Sequence, residues 1–244
     1  MILYLNMREE KGRKLEMQTR KPSSRLVKEE EIHKDLRGFR EKAIELGASA
    51  SEVIPTSYIV AEERVWMKCL VPRCAALRDG GSPYCPPHTP HPDFMRKVFS
   101  QYDWAVLFKT DIEPLEDFIP TSEVRAKEML SQRRQPQEGR GFHEKTWEIL
   151  GRLESYVQSK GYDLAMGFSA GSCKHHLCHG APCGVFQNGN CRFPFRARPS
   201  MEGVGIDVFD LANKVGWDIY MIRSVEPDLS VIPCAISVGI VLIC

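Results

Sequence analysis

The chain has little of what usually identifies a protein's business at sight. Its amino terminus does not read as a secretory leader: the apolar run is confined to the first six residues, and Arg8, Glu9, Glu10, Lys11 and Arg13 follow at once. The closing apolar stretch, 231–243, contains Pro233 and falls short of the roughly 18 residues a membrane span needs. No charge of one sign dominates. With 33 basic and 32 acidic residues the net charge is +1, so no bulk field argues for nucleic acid or an anionic membrane. Nine cysteines in 244 residues are too sparse for a secreted disulfide scaffold. Phosphate-binding and dinucleotide glycine loops are absent, as is any Ser/His/Asp arrangement. So is the Cys-x3-Cys-x2-Cys loop of radical SAM chemistry. These absences predict a cytoplasmic protein with no nucleic-acid partner and no membrane span. In a reducing compartment, clustered cysteines point to metal rather than to disulfides.

What is there begins with ordinary globular patterning. Residues 1–24 are polar and predict a flexible N-terminal tail ahead of one domain over 25–244. Over 29–46, Ile32, Leu36, Phe39, Ala43 and Ile44 recur at helical steps, and Gly47 supplies a stop. Residues 50–61 read as strand turning at Pro55, and 64–70 as an extension of that sheet delivering Cys69. Helices are predicted over 91–102, 122–131, 145–159 and 207–215, with a polar break over 132–141. Strands are predicted over 104–110, 164–168, 217–222 and 235–243. The alternation predicts an α/β fold: a single sheet flanked by helices, with two cysteine-rich metal-binding loops leaving strand ends.

Seven of the nine cysteines fall into two groups, Cys69, Cys74 and Cys85, then Cys173, Cys178, Cys183 and Cys191. Thiolates at short spacing on Gly- and Pro-rich loops suit a soft metal or an iron–sulfur cluster. The second group is the fuller donor set. Arg192, Arg196 and Arg198 follow it and would offset the negative charge of a ligated 4Fe–4S cluster. Tetrahedral zinc is the competing reading, since His175, His176 and His179 lie inside the loop, and a loop without metal is a third. The histidines themselves read as solvated residues or donors to ligands more than as ligands. The first group supplies only three thiols. It is consistent with a cluster with an open iron, with a cluster completed by His88, His91 or Cys234, or with a joint centre built from both groups. Cys234 and Cys244 read as core residues. Around Arg198, Ser200 and Glu202, a role beside the site competes with a capped helix start.

Around these loops the chain resembles a family of predicted metal-binding proteins, domain of unknown function 2284. The likeness runs through Lys68-Cys69-Leu-Val-Pro-Arg-Cys74, Tyr84-Cys85-Pro-Pro and residues 91–108. It continues through Gly171-Ser-Cys173, Cys178, Pro182-Cys183, Cys191-Arg-x-Pro194 and the string Ala197-Arg-Pro-Ser-Met-Glu-Gly-Val-Gly-Ile-Asp-Val208, covering roughly residues 45–244. The resemblance implies metal binding at these seven cysteines and raises iron–sulfur above zinc. The expected function is an iron–sulfur protein carrying electrons to or from a redox protein or enzyme complex in an anaerobic system. Cys173, Cys178, Cys183 and Cys191 would hold one 4Fe–4S cluster; Cys69, Cys74 and Cys85 would ligate a second. The alternatives are an enzyme or metallocofactor-maturation factor with a catalytic three-cysteine centre, and a zinc-stapled interaction module.

Overall fold

Strands β1 (Ala50–Pro55), β2 (Trp104–Asp111), β3 (Met166–Phe168) and β4 (Ile236–Leu242) form one antiparallel sheet in the order β1-β2-β4-β3. The structure, a computed structural model, describes residues 29–78, 80–113, 115, 143–220 and 232–244. The expected tail over 1–24, the helix over 122–131 and the polar break over 132–141 lie outside the described residues.

The two central strands are apolar over Trp104–Phe108 and Val238–Leu242 because both faces of the sheet are covered there, which removes the polar alternation of a half-exposed strand. Ala105, Leu107, Val238, Ile240 and Leu242 point to one face, while Val106, Phe108, Val241 and Ile243 point to the other. On the latter face lie α1 (Glu29–Glu45) and the later helix over Glu144–Ser159. Leu36, Phe39 and Ala43 of the first interleave with Leu150, Leu153 and Val157 of the second. The opposite face carries a helix over Pro92–Phe99 and another over Val208–Lys214, with Met201, Val204 and Ile206 between them. Both have N-terminal caps of the kind worth about 1 kcal/mol. Asp207 accepts from the amides of Phe209 and Asp210, and the His91 ring accepts from Asp93.

Three expected strands change. Residues 63–70 are a helix, α2 (Glu63–Leu70), and not a sheet extension. Positions 61–62, 65–66 and 69–70 are buried or half-buried while 63–64 and 67–68 are exposed, and that four-residue period is helical. The strand beginning at Ala50 stops at Pro55, where a 3-10 turn (Thr56–Tyr58) begins. Residues 217–220 alternate inward and outward as a strand should, but they carry no sheet pairing; 221–222 lie outside the described residues. The first cysteine loop therefore leaves a helix end, and the second leaves β3. Among the described residues, no helix is long and apolar enough to cross a membrane.

The remaining helices are short and belong to the cysteine loops: α3 (Ala75–Arg78) and, after α4 (Pro92–Phe99) and α5 (Glu144–Ser159), α6 (Cys173–His176) and α7 (Gly184–Asn188). Among the described residues the last helix, α8, is Val208–Lys214.

Candidate metal centre

The four-cysteine loop is built by a series of tight local stops. After β3, the Ser172 hydroxyl caps α6 by accepting from the Lys174 amide at 3.3 Å, which places Cys173 at the first helical position with its thiol buried. The Cys178 amide returns to the Cys173 carbonyl at 3.2 Å, and Cys183 is the residue from which α7 starts. Gly184 follows because a Cβ there would stand 2.4 Å from the Asn190 carbonyl oxygen, a backbone atom that cannot step aside. Cys191 then turns back, its sulfur accepting from the Phe193 amide at 3.3 Å. The result is one cavity lined by Cys173, Cys178, Cys183 and Cys191, with Tyr84 and Phe193 in its walls.

Trp147 of α5 lies beneath this loop, packed against Cys173, Leu177 and Ala197, and its indole donates to the Ala170 carbonyl at 2.9 Å. Arg192 donates to the Pro182 carbonyl at 2.7 Å and reaches the Cys178 sulfur. Burial pushes the Cys173 thiol up to about 12, against a smaller opposing effect from its bond with Ser82. Burial also raises Cys178, with Arg192 pulling the other way. Without metal Cys173 and Cys178 hold their protons at neutral pH; with a cation among them they would give them up.

The first group is assembled differently. Cys69 lies in the last turn of α2, and the Cys74 amide donates to its carbonyl at 3.0 Å. Cys74 precedes α3, and its sulfur takes hydrogen bonds from the Cys69 thiol and from the amides of Leu77 and Ala76. The bond from Cys69 is the chief reason that Cys74 is lowered to about 6, and the same bond drives Cys69 upward. Cys85 is buried on a turn closed by its amide to the Ser82 carbonyl at 3.0 Å.

The two groups meet at two serines that the sequence reading did not single out. The buried Ser82 hydroxyl lies 3.4 Å from the sulfurs of both Cys85 and Cys173, and Ser172 places its hydroxyl 3.4 Å from Cys85 as well. The only local signal was position: Ser82 stands three residues before Cys85, and Ser172 immediately before Cys173. All nine cysteines are free thiols.

The other anticipated participants make contacts of their own. The Nε of Arg198 donates to both carboxylate oxygens of Glu154, at 3.0 and 2.9 Å. His88 packs on Phe186, His91 packs on Trp66, and the Cys234 thiol donates to the Asp218 carbonyl at 3.8 Å. His176 lies between the rings of His143 and Trp147. Cys244 packs against the α1/α5 face, as a core cysteine should. Ser200 accepts from the Gly203 amide at 3.0 Å at the start of a 3-10 turn (Glu202–Val204), in place of the expected α-helix start.

A model of a family described as predicted metal-binding protein matches residues 52–243. No curated protein and no solved structure matches the chain.

Proposed function

The chain belongs to that family, DUF2284, and from this premise we propose that it is an iron–sulfur protein carrying electrons to or from a protein partner. The observation that carries the reading is the single cavity lined by four free thiols drawn from one loop. Soft sulfur donors fit an iron–sulfur cluster or zinc. The spread of the sulfurs favours the cluster. Zinc at about 2.3 Å from each sulfur would draw them to roughly 3.8 Å from one another. Among the described residues, no three cysteine sulfurs lie within 4.8 Å of one another, whereas a cluster is itself several ångströms across.

A bound cluster supplies a one-electron couple. The residues of this chain do the rest. Cys173, Cys178, Cys183 and Cys191 hold it, and Trp147, Tyr84 and Phe193 keep water from one side. The amide of Phe193 and the guanidinium of Arg192 stabilise negative charge on sulfur. Cys69, Cys74 and Cys85 form a second centre beside it.

The surface supports an acidic redox partner. No Asp or Glu occurs from residue 164 to residue 201, a stretch that contains Lys174, Arg192, Arg196 and Arg198. Arg192 and Arg196 are exposed there, next to Phe195, which is 87% exposed. An apolar residue within a basic rim suits docking steered by charge.

Anaerobic purification with iron, sulfide and zinc quantification, and EPR after reduction, tests the proposal. Iron and sulfide in about equal amounts with a signal on reduction is the expected result. Colourless protein carrying stoichiometric zinc would overturn it.

A further inference from the structure

The first cysteine group supplies three sulfurs, one short of the four ligands that a cubane cluster takes. The segment that follows the second loop runs past the gap. Ile206 pairs with Ala61, the Glu62 amide donates to the Gly205 carbonyl at 2.8 Å, and α2, which carries Cys69, packs against the Glu202–Val204 turn. The Thr89 hydroxyl donates to the Gly203 carbonyl at 2.6 Å. A Cβ on Gly203 would lie 3.5 Å from the carbonyl oxygen of Tyr84 and 3.7 Å from Pro86. The turn is thus pressed between α2, joined at its N-terminal end through Ala61 and Glu62, and the two neighbours of Cys85.

Glu202 begins this turn. Its carboxylate lies close enough to Cys69 to act on that thiol. Ser200 already accepts from the Gly203 amide, so its own proton goes to the Glu202 carboxylate. Glu202 is thus a half-buried acid bonded to a serine, on a turn that packs against the helix carrying Cys69 and against the neighbours of Cys85.

We infer that Glu202 is the fourth ligand of the Cys69/Cys74/Cys85 centre. This rests on the metal-binding reading of that group. A carboxylate is a harder and more exchangeable donor than a thiolate. The centre would then have three strong ligands and one that a small anionic substrate or a partner's side chain can displace.

The test loads the full chain anaerobically with ferrous iron and sulfide and compares wild type with Glu202→Gln, Glu202→Ala, Glu202→Cys and Cys85→Ser. The readouts are iron per chain, Mössbauer and EPR spectra, and the rate of iron loss to a chelator. Glu202→Gln and Glu202→Ala are expected to lose iron from the same spectral component that Cys85→Ser removes, on the order of tenfold faster than wild type or more. Glu202→Cys is expected to retain that iron with an altered spectrum. Thermal melting of the metal-free variants separates ligand loss from misfolding. Wild-type spectra and chelation rates in Glu202→Gln and Glu202→Ala overturn the inference while leaving a three-cysteine centre in place. An unchanged iron content in Cys85→Ser removes the first centre altogether, and this inference with it.

Discussion

The two cysteine loops touch through Ser82 yet are built on opposite plans. The loop over 173–191 closes on itself: its four sulfurs come from nineteen consecutive positions, over a tryptophan floor. The group over 69–85 is gathered from a helix end, a short helix start and a turn, and it borrows its surroundings from residues more than a hundred positions later. A contiguous loop fixes its geometry through its own turns. A dispersed group inherits its geometry from the fold.

Removing one sulfur from each loop tests that contrast most severely. Cys183→Ser is expected to abolish the metal of the second loop and spare the first, and Cys85→Ser to do the reverse, as read by iron and sulfide per chain. If either variant strips all the iron, the two groups form one joint centre and the contrast collapses.

Trp147→Ala comes next. A buried aromatic replaced by alanine costs about 3–5 kcal/mol, and here the cavity opens directly under Cys173. Urea denaturation of the metal-free protein measures the loss, and chelator challenge should show the second loop releasing iron before the first.

A smaller effect is expected at Arg198. Its pairing with Glu154, whose side chain is only 4% exposed, would leave a buried charge uncompensated in Arg198→Ala. Cleaving a fully buried pair costs about 3–5 kcal/mol, and the partial exposure of Arg198 reduces this to roughly 2 kcal/mol. Metal content should stay at wild type, because the guanidinium serves Glu154. A selective loss of iron would instead return Arg198 to the site.

The mildest test is pH. In metal-free protein Cys74, lowered to about 6, is a thiolate at neutral pH, whereas Cys173, raised to about 12, is not. Iodoacetamide labelling followed by mass spectrometry should therefore modify Cys74 with a midpoint near pH 6 and leave Cys173 protected until strongly alkaline pH. The sign for stability follows. A depressed thiol contributes fully above its unfolded value of 9.0 and loses that contribution as pH falls through 6. Equal labelling of both at pH 7 would remove the electrostatic difference between the loops.

Much of the frame was legible because its signals are local. Leu36, Phe39 and Ala43 mark α1 by spacing alone, and the apolar run from Trp104 to Phe108 could only be a buried strand or helix of limited length. Residues 65–67 misled because Val-Trp-Met resembles strand in composition while its burial period, set by packing on the Glu202–Val204 turn, is helical. Trp217 and Ile219 alternate correctly, but a strand also needs a neighbour with free hydrogen-bonding groups, and pattern does not reveal that. At the candidate site the two cysteine groups are visible in the sequence by type and spacing. The partner of Arg198 did not, since Glu154 lies 44 positions away on another element. Nor did Ser82, whose importance arises only when two loops converge on it.

That hydroxyl has a further consequence. An alcohol carries a single hydrogen, and Ser82 already takes the Tyr84 amide on its oxygen at 3.2 Å. Once both neighbouring sulfurs are anionic it can serve Cys85 or Cys173 but not the two together. Ser172, in reach of Cys85, can take over there, which frees Ser82 to rotate toward Cys173. The side chain is in effect a swivel shared by two owners, and a change of charge in one loop re-aims it for the other.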